Sequence, residues 1–109
     1  MTNIAGLIVI ATGNYDCFIE PLLKSVDRHF FKDKEVDVYL FDDKDYSGQR
    51  FDRLRLVETK IPHLSWPYPT LYRYKWISQN YKMFASDFLY YCDVDMRFVG
   101  DVAYEILPE

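Results

Sequence analysis

Ile4 to Ala11 reads Ile-Ala-Gly-Leu-Ile-Val-Ile-Ala, eight residues without a polar side chain, and this run restricts the available folds more than any other feature of the chain. It is too short to span a bilayer, which takes about 20 apolar residues, and it lacks the alternation of a strand with one wetted face. A strand apolar on both faces belongs inside a parallel sheet covered by helices. Thr12-Gly13-Asn14 then turns the chain. Beyond the turn, Phe18, Leu22, Leu23, Val26 and Phe30 recur at helical spacing, so a helix is expected from about Asp16 to His29, with Pro21 in its first turn.

The same pattern continues. Val36 to Phe41 reads as a second strand and Asp42 to Gln49 as a polar loop, while Leu54 to Thr59 reads as a third, more exposed strand. Pro62, Pro67 and Pro69 interrupt the next segment. Thr70 is placed to cap a helix on which Leu71, Tyr74, Ser78, Tyr81 and Ala85 share one face. Phe88 to Cys92 reads as another buried strand. Alternating strands and helices specify an α/β fold with a mostly parallel sheet, and ligands of such sheets bind at the carboxyl ends of the strands. Those ends are Ala11 to Tyr15, Asp42 to Asp45 and Asp93 to Asp95.

Half of the 109 residues are apolar, enough to bury the core of one domain, residues 1–109. The net charge of -4 argues against a nucleic-acid partner, which calls for clustered cations. No signal segment or membrane-length run is seen, so a soluble, cytoplasmic chain is expected. Cys17 and Cys92 lack metal or redox spacing and are expected to be buried free thiols. His29 and His63 are expected to be structural.

Asp93-Val94-Asp95 carries the clearest chemistry. In an extended backbone its carboxylates point to one side and Val94 to the other. Two such groups about 4 Å apart repel, and their shared oxygen chemistry suits Mg²⁺ or Mn²⁺. Spacing alone is weak, since the aspartate content yields about one Asp-x-Asp by chance, and a second occurs at Asp43-Lys44-Asp45. The surroundings differ. Asp43 and Asp45 sit in a polar loop and are expected to be turn formers, whereas Asp93 and Asp95 interrupt the apolar run Phe88 to Val99, where acids cost free energy unless compensated.

Together, Ile10-Ala11-Thr12-Gly13-Asn14-Tyr15, Trp66 followed by Arg73, Tyr91-Cys92-Asp93-Val94-Asp95-Met96 and Glu105-Ile106-Leu107 resemble the histo-blood-group ABO and α-1,3-galactosyltransferase family, glycosyltransferase family six. The resemblance covers the N-terminal part of that family's catalytic domain. It implies a GT-A-type, Rossmann-like half-domain in which Ile10, Ala11 and Thr12 contact uridine through their backbone, with Tyr15 stacking on it. By the same resemblance Arg73 lies near the donor sugar, and Asp93, Val94 and Asp95 meet the diphosphate, the two acids holding Mn²⁺ (or Mg²⁺). Where the family carries paired Arg, this chain has Tyr72-Arg73.

The implied activity is retaining transfer of galactose or N-acetylgalactosamine from a UDP-sugar to a galactoside of an oligosaccharide or glycoconjugate, forming an α-1,3 linkage. The catalytic carboxylate and acceptor site are expected beyond residue 109, so that the piece alone is inactive and leaves a sheet edge uncovered. Two rivals are a haloacid-dehalogenase-like phosphatase, which wants its Asp-x-Asp after the first strand, and a non-catalytic nucleotide- or metal-binding module with Asp42 and Asp43 as its acidic pocket.

Overall fold

Strands β1 (Ile4–Ala11), β2 (Glu35–Asp42), β3 (Leu54–Lys60) and β4 (Phe88–Tyr91) form one sheet in the spatial order β3-β2-β1-β4, every pair parallel. The computed structural model describes residues 4–63, 75–79, 84 and 88–100. β1 pairs with β2 along its whole length, Ile4 opposite Glu35 through Ala11 opposite Asp42, and with β4 from Ala5 opposite Phe88 to Ile8 opposite Tyr91. The apolar run is therefore flanked on both sides, as its composition requires.

Alternation along the strands divides the core in two. Ala5, Leu7, Val9 and Ala11 of β1, with Val36, Val38 and Leu40 of β2, face the helix α1 (Ile19–His29) and pack on Leu22, Leu23 and Val26. The opposite face carries Ile8, Tyr39, Phe41 and Ile61, against which Trp76, Ile77 and Phe84 pack. Residues 75–79 are helical, so both faces of the sheet are covered, the doubly wound arrangement the sequence pattern indicates. Burying a side chain such as Leu7 or Val26 is worth about 1.5–3 kcal/mol, while an exposed ion pair such as Arg50–Glu58 is worth about 0–1 kcal/mol. Core burial, rather than surface charge, holds the layers together. Among the described residues, no helix is long and apolar enough to cross a membrane.

Several sequence expectations are corrected. The helix expected from Asp16 begins as a 3₁₀ segment, Gly13–Phe18, and becomes α-helical only at Ile19. An α-helix started at Asp16 would require an N–H from Pro21 and drive its ring into the preceding turn. Starting at Ile19 puts the proline among the N–H groups that need no helical partner. Cys17, in the 3₁₀ segment, is consequently exposed rather than buried, its thiol donating to the Asn14 carbonyl at 3.2 Å, and Cys92 is only half-buried. β4 alternates between half-buried and exposed instead of being buried throughout: among the described residues it pairs only with β1. Ser78 is exposed, and the packing face of residues 75–79 is Trp76 and Ile77, because the ring-rich surface of Tyr39 and Phe41 calls for bulky partners. Leu71, Tyr74, Tyr81 and Ala85 lie outside the described residues. β3 is half-exposed, as expected.

The end of α1 distant from the strand carboxyl ends is latched from another element. Arg53, just before β3, donates to the carbonyls of Val26 (2.7 Å), Asp27 (2.9 Å) and Phe31 (3.0 Å). The Asp27 carbonyl is left without a helical partner at this terminus, those of Val26 and Phe31 also accept the Phe30 and Lys34 N–H groups, and a cation here is favoured by the helix dipole. Phe31 adopts a left-handed backbone, φ 43°, which costs about 1–2 kcal/mol for a residue bearing a Cβ. It is held there by full burial, by edge-on packing of Phe30 at 4.9 Å and by the Arg53 bond. Replacing Arg53 by Met, which keeps the stem but not the donors, is expected to lower stability by about 2–3 kcal/mol, measurable as a shift of the urea midpoint at unchanged slope.

Candidate ligand site at the strand carboxyl ends

In the order β3-β2-β1-β4 the chain runs outward from β1 to β2 and β3, then returns to the other side of β1 for β4. Connections thus diverge between β1 and β4, and open α/β sheets take ligands just beyond such a point, at the carboxyl ends. Two segments singled out by the sequence lie there. Residues 12–15 follow β1. Just past β4 the Cys92 N–H donates to the Ile8 carbonyl at 3.2 Å, and Asp93 follows directly.

Ile10 and Ala11 turn their side chains into the two cores, so they present backbone to a ligand at the strand end. Thr12 is buried, and its hydroxyl is hydrogen-bonded to His63 Nδ1 at 3.0 Å. Tyr15 is 55% exposed, its ring centroid 6.0 Å from that of Phe18. An aromatic face open to solvent beside a strand end is available for stacking. Arg73 and Trp66 lie outside the described residues.

Asp93-Val94-Asp95 is a turn and not a continuation of the strand: the Met96 N–H returns to the Asp93 carbonyl at 3.2 Å. The strand rule of alternating sides therefore does not apply to it. Val94 is buried in the α1-side core and both acids are exposed. The Tyr91 hydroxyl donates to Asp93 Oδ1 at 3.2 Å. The expected cost of two acids inside an apolar run is not incurred, because the turn lifts them out of it. Burial, with the Asp93 and Asp95 charges adding to it, pushes the Cys92 thiol up to about 12.

The costly acid lies elsewhere. Asp42, the last residue of β2, is 1% exposed, with no hydrogen bond to either carboxylate oxygen. Lys60 Nζ approaches Oδ1 at 3.6 Å but bonds Asp45 more closely, at 2.8 Å. Desolvation dominates, and the Asp42 carboxyl is raised to about 6 against the partial opposition of Lys60. Lys60 in turn holds the exposed Asp45 below the ordinary carboxylate range. The sequence had no signal for this, since Asp42 falls at the junction of a strand and a polar loop.

The loop acids are more than turn formers. Asp43 Oδ1 accepts the Gly13 N–H at 3.1 Å, and Lys44 reaches the Gly13 carbonyl at 3.4 Å and Asp16 at 3.5 Å. The β2 end thereby fixes the turn after β1. Asp43 is engaged by the Gly13 N–H and Asp42 is buried, while Asp16, Asp42, Lys44 and Asp45 line a cavity of about 340 Å³ between the 3₁₀ segment and the β2 end. His63 contributes from the third side, and its proline-rich surroundings concealed that role.

This topology, with its backbone turn, exposed tyrosine and acidic turn at the divergence of β1 and β4, defines a Rossmann-like α/β half-domain of the GT-A kind. The chain belongs to glycosyltransferase family 6, whose family model matches residues 1–109. It is 33% identical, over 119 aligned positions, to human globoside alpha-1,3-N-acetylgalactosaminyltransferase 1, an alignment that covers 94% of this chain and 34% of that protein. The chain thus spans about a third of the length of this relative.

Two predictions follow from the geometry. Gly13 has φ +60°, and a Cβ there would lie 2.6 Å from His63 Cε1. Gly13→Ala should therefore displace the imidazole from Thr12 and cost about 1–2 kcal/mol, seen in thermal melts together with a changed His63 ring resonance. For Asp42 the folded-state value lies above the unfolded one of about 4. Its contribution to stability is therefore full below about pH 4 and lost as pH rises through about 6, amounting to on the order of 2–3 kcal/mol. Asp42→Asn should abolish that segment of the stability-versus-pH curve; a curve of unchanged shape in the variant would contradict the assignment.

Proposed function

We propose that this chain is the donor-binding part of a retaining, UDP-sugar-dependent glycosyltransferase that delivers galactose or N-acetylgalactosamine to a galactoside of an oligosaccharide or glycoconjugate in α-1,3 linkage. Family membership supports glycosyl transfer. The name of the human relative supports the sugar class and linkage. The observation that carries the reading is that the Thr12–Tyr15 turn and the exposed acids Asp93 and Asp95 follow the carboxyl ends of the adjacent parallel strands β1 and β4, where the connections diverge.

In this reading the backbone of Ile10, Ala11 and Thr12 hydrogen-bonds the uridine, and the open ring of Tyr15 stacks on the base. Arg73 faces the donor sugar, and the backbone at Val94 meets the diphosphate. Burial of Val94 fixes the turn, so that Asp93 and Asp95 flank an anchored residue and lose little conformational entropy on engaging a ligand. The Tyr91 hydroxyl orients Asp93.

The donor set fits a hard divalent ion, Mn²⁺ or Mg²⁺. It offers carboxylate oxygens on a solvent-facing turn, the hard ligands such ions take. Two protein ligands leave coordination positions for diphosphate oxygens and water, the usual division in nucleotide sites. When bound, the ion would neutralise charge developing on the departing UDP.

Calorimetric titration with UDP tests the reading. Binding should tighten at least tenfold when Mn²⁺ is present. Asp93→Asn with Asp95→Asn should abolish this gain with little change in melting temperature, and Tyr15→Ala should weaken UDP with or without the metal. Equal UDP affinity with and without Mn²⁺ in the folded parent would overturn the metal assignment, and no UDP uptake at all would overturn the donor site.

A further inference from the structure

A cavity of about 650 Å³ lies away from the strand ends, between the outer side of α1 and residues 97–99. Three of the groups lining it are Lys24, Arg28 and Arg97. The remaining cations of the described residues all have partners. Lys44 is paired with Asp16, Arg50 with Glu58, Arg53 with Asp27, Arg55 with Asp37, and Lys60 with Asp42 and Asp45. Lys34 lies over the Phe31 and Phe88 rings and Lys75 over Trp76, and Lys32 is likewise engaged. Lys24, Arg28 and Arg97 have no hydrogen bond, ion pair or ring contact among the described residues, and all three line this one cavity.

In a chain of net charge -4 in which every other described cation has an acid, a ring or another partner, the concentration of unneutralised charge in one concavity sets up a positive local potential. Glu20 also lines the cavity, but its carboxylate accepts the Gln49 N–H at 3.1 Å on the far side of the helix start. The wall is held in place: the Phe98 N–H donates to the Ser25 hydroxyl at 3.0 Å, that hydroxyl donates to the Leu22 carbonyl at 2.7 Å, and the Phe98 ring rests on Phe30 at 5.2 Å. Pro21 and Val99 supply apolar surface beside the cations.

We propose that this groove is a second ligand site, separate from the donor site, for an oxyanion such as phosphate or sulfate, either free or carried on a small saccharide. Two guanidinium groups match the oxygens of such an anion in fork geometry, and Lys24 adds a point charge. The cavity has room for a ligand of saccharide size.

Calorimetry with inorganic phosphate and with a sulfated disaccharide tests the proposal, using the parent, Arg28→Gln combined with Arg97→Gln, and Arg50→Gln as a cation outside the groove. Saturable binding is expected in the parent and in Arg50→Gln. In the double variant, shown by melting to be folded, it should be weakened at least tenfold, and saturating UDP should leave it unaffected. Tighter binding of the disaccharide identifies the saccharide-borne anion as the ligand; tighter binding of phosphate identifies the free ion. The absence of saturable binding, equal affinity in the double variant, or displacement by UDP overturns the proposal.

Discussion

The structure depends on β1 having a hydrogen-bonded strand on each side and a covered face above and below. A run of eight residues with no polar side chain cannot leave its backbone N–H and carbonyl groups unpaired in an apolar interior. With β2 and β4 as its parallel neighbours, the following connections must leave to opposite sides. The divergence at the carboxyl end of β1 is thus a product of burial, and the candidate site occupies it. Residues 12–15 are constrained by the same demand, because a chain leaving a buried strand must turn within reach of both neighbouring strand ends.

Two kinds of carboxylate stand at this end of the sheet, and their environments separate their roles. Asp93 and Asp95 keep their water and can exchange it for a ligand at small cost. Asp42 has surrendered its water without gaining a hydrogen bond, and Lys60 repays only part of that loss. Proteins rarely retain such a group in the core unless the position serves something other than stability. Here the β2 end supplies Asp43 and Lys44, which position the Gly13 turn, and Asp42 is the residue through which the chain leaves the core to reach them.

The first three strands and the parallel architecture were legible in the sequence because each rests on local pattern: a continuous apolar run for β1, a half-exposed one for β3. Resemblance identified the family through motifs that recur in order. Two losses came from geometry that pattern does not encode. Pro21 delayed the α-helix and left Cys17 in solvent, a consequence of one missing N–H that a count of apolar spacing overlooks. The acids at 93 and 95 were judged by neighbouring residue types, whereas a single turn bond, from Met96 to Asp93, removes them from that neighbourhood. Asp43, His63 and Arg53 escaped notice for a third reason. Their partners lie 30, 51 and as many as 27 positions away, and no local rule reports a long-range bond.

Arg53 has a consequence for mechanics. By gripping the last turn of α1, the Phe31 bend and the entry to β3 at once, one guanidinium welds the amino-terminal edge of the sheet into a stiff block. The opposite rim is held by separate ties, Asp43 to the Gly13 N–H and His63 to the Thr12 hydroxyl.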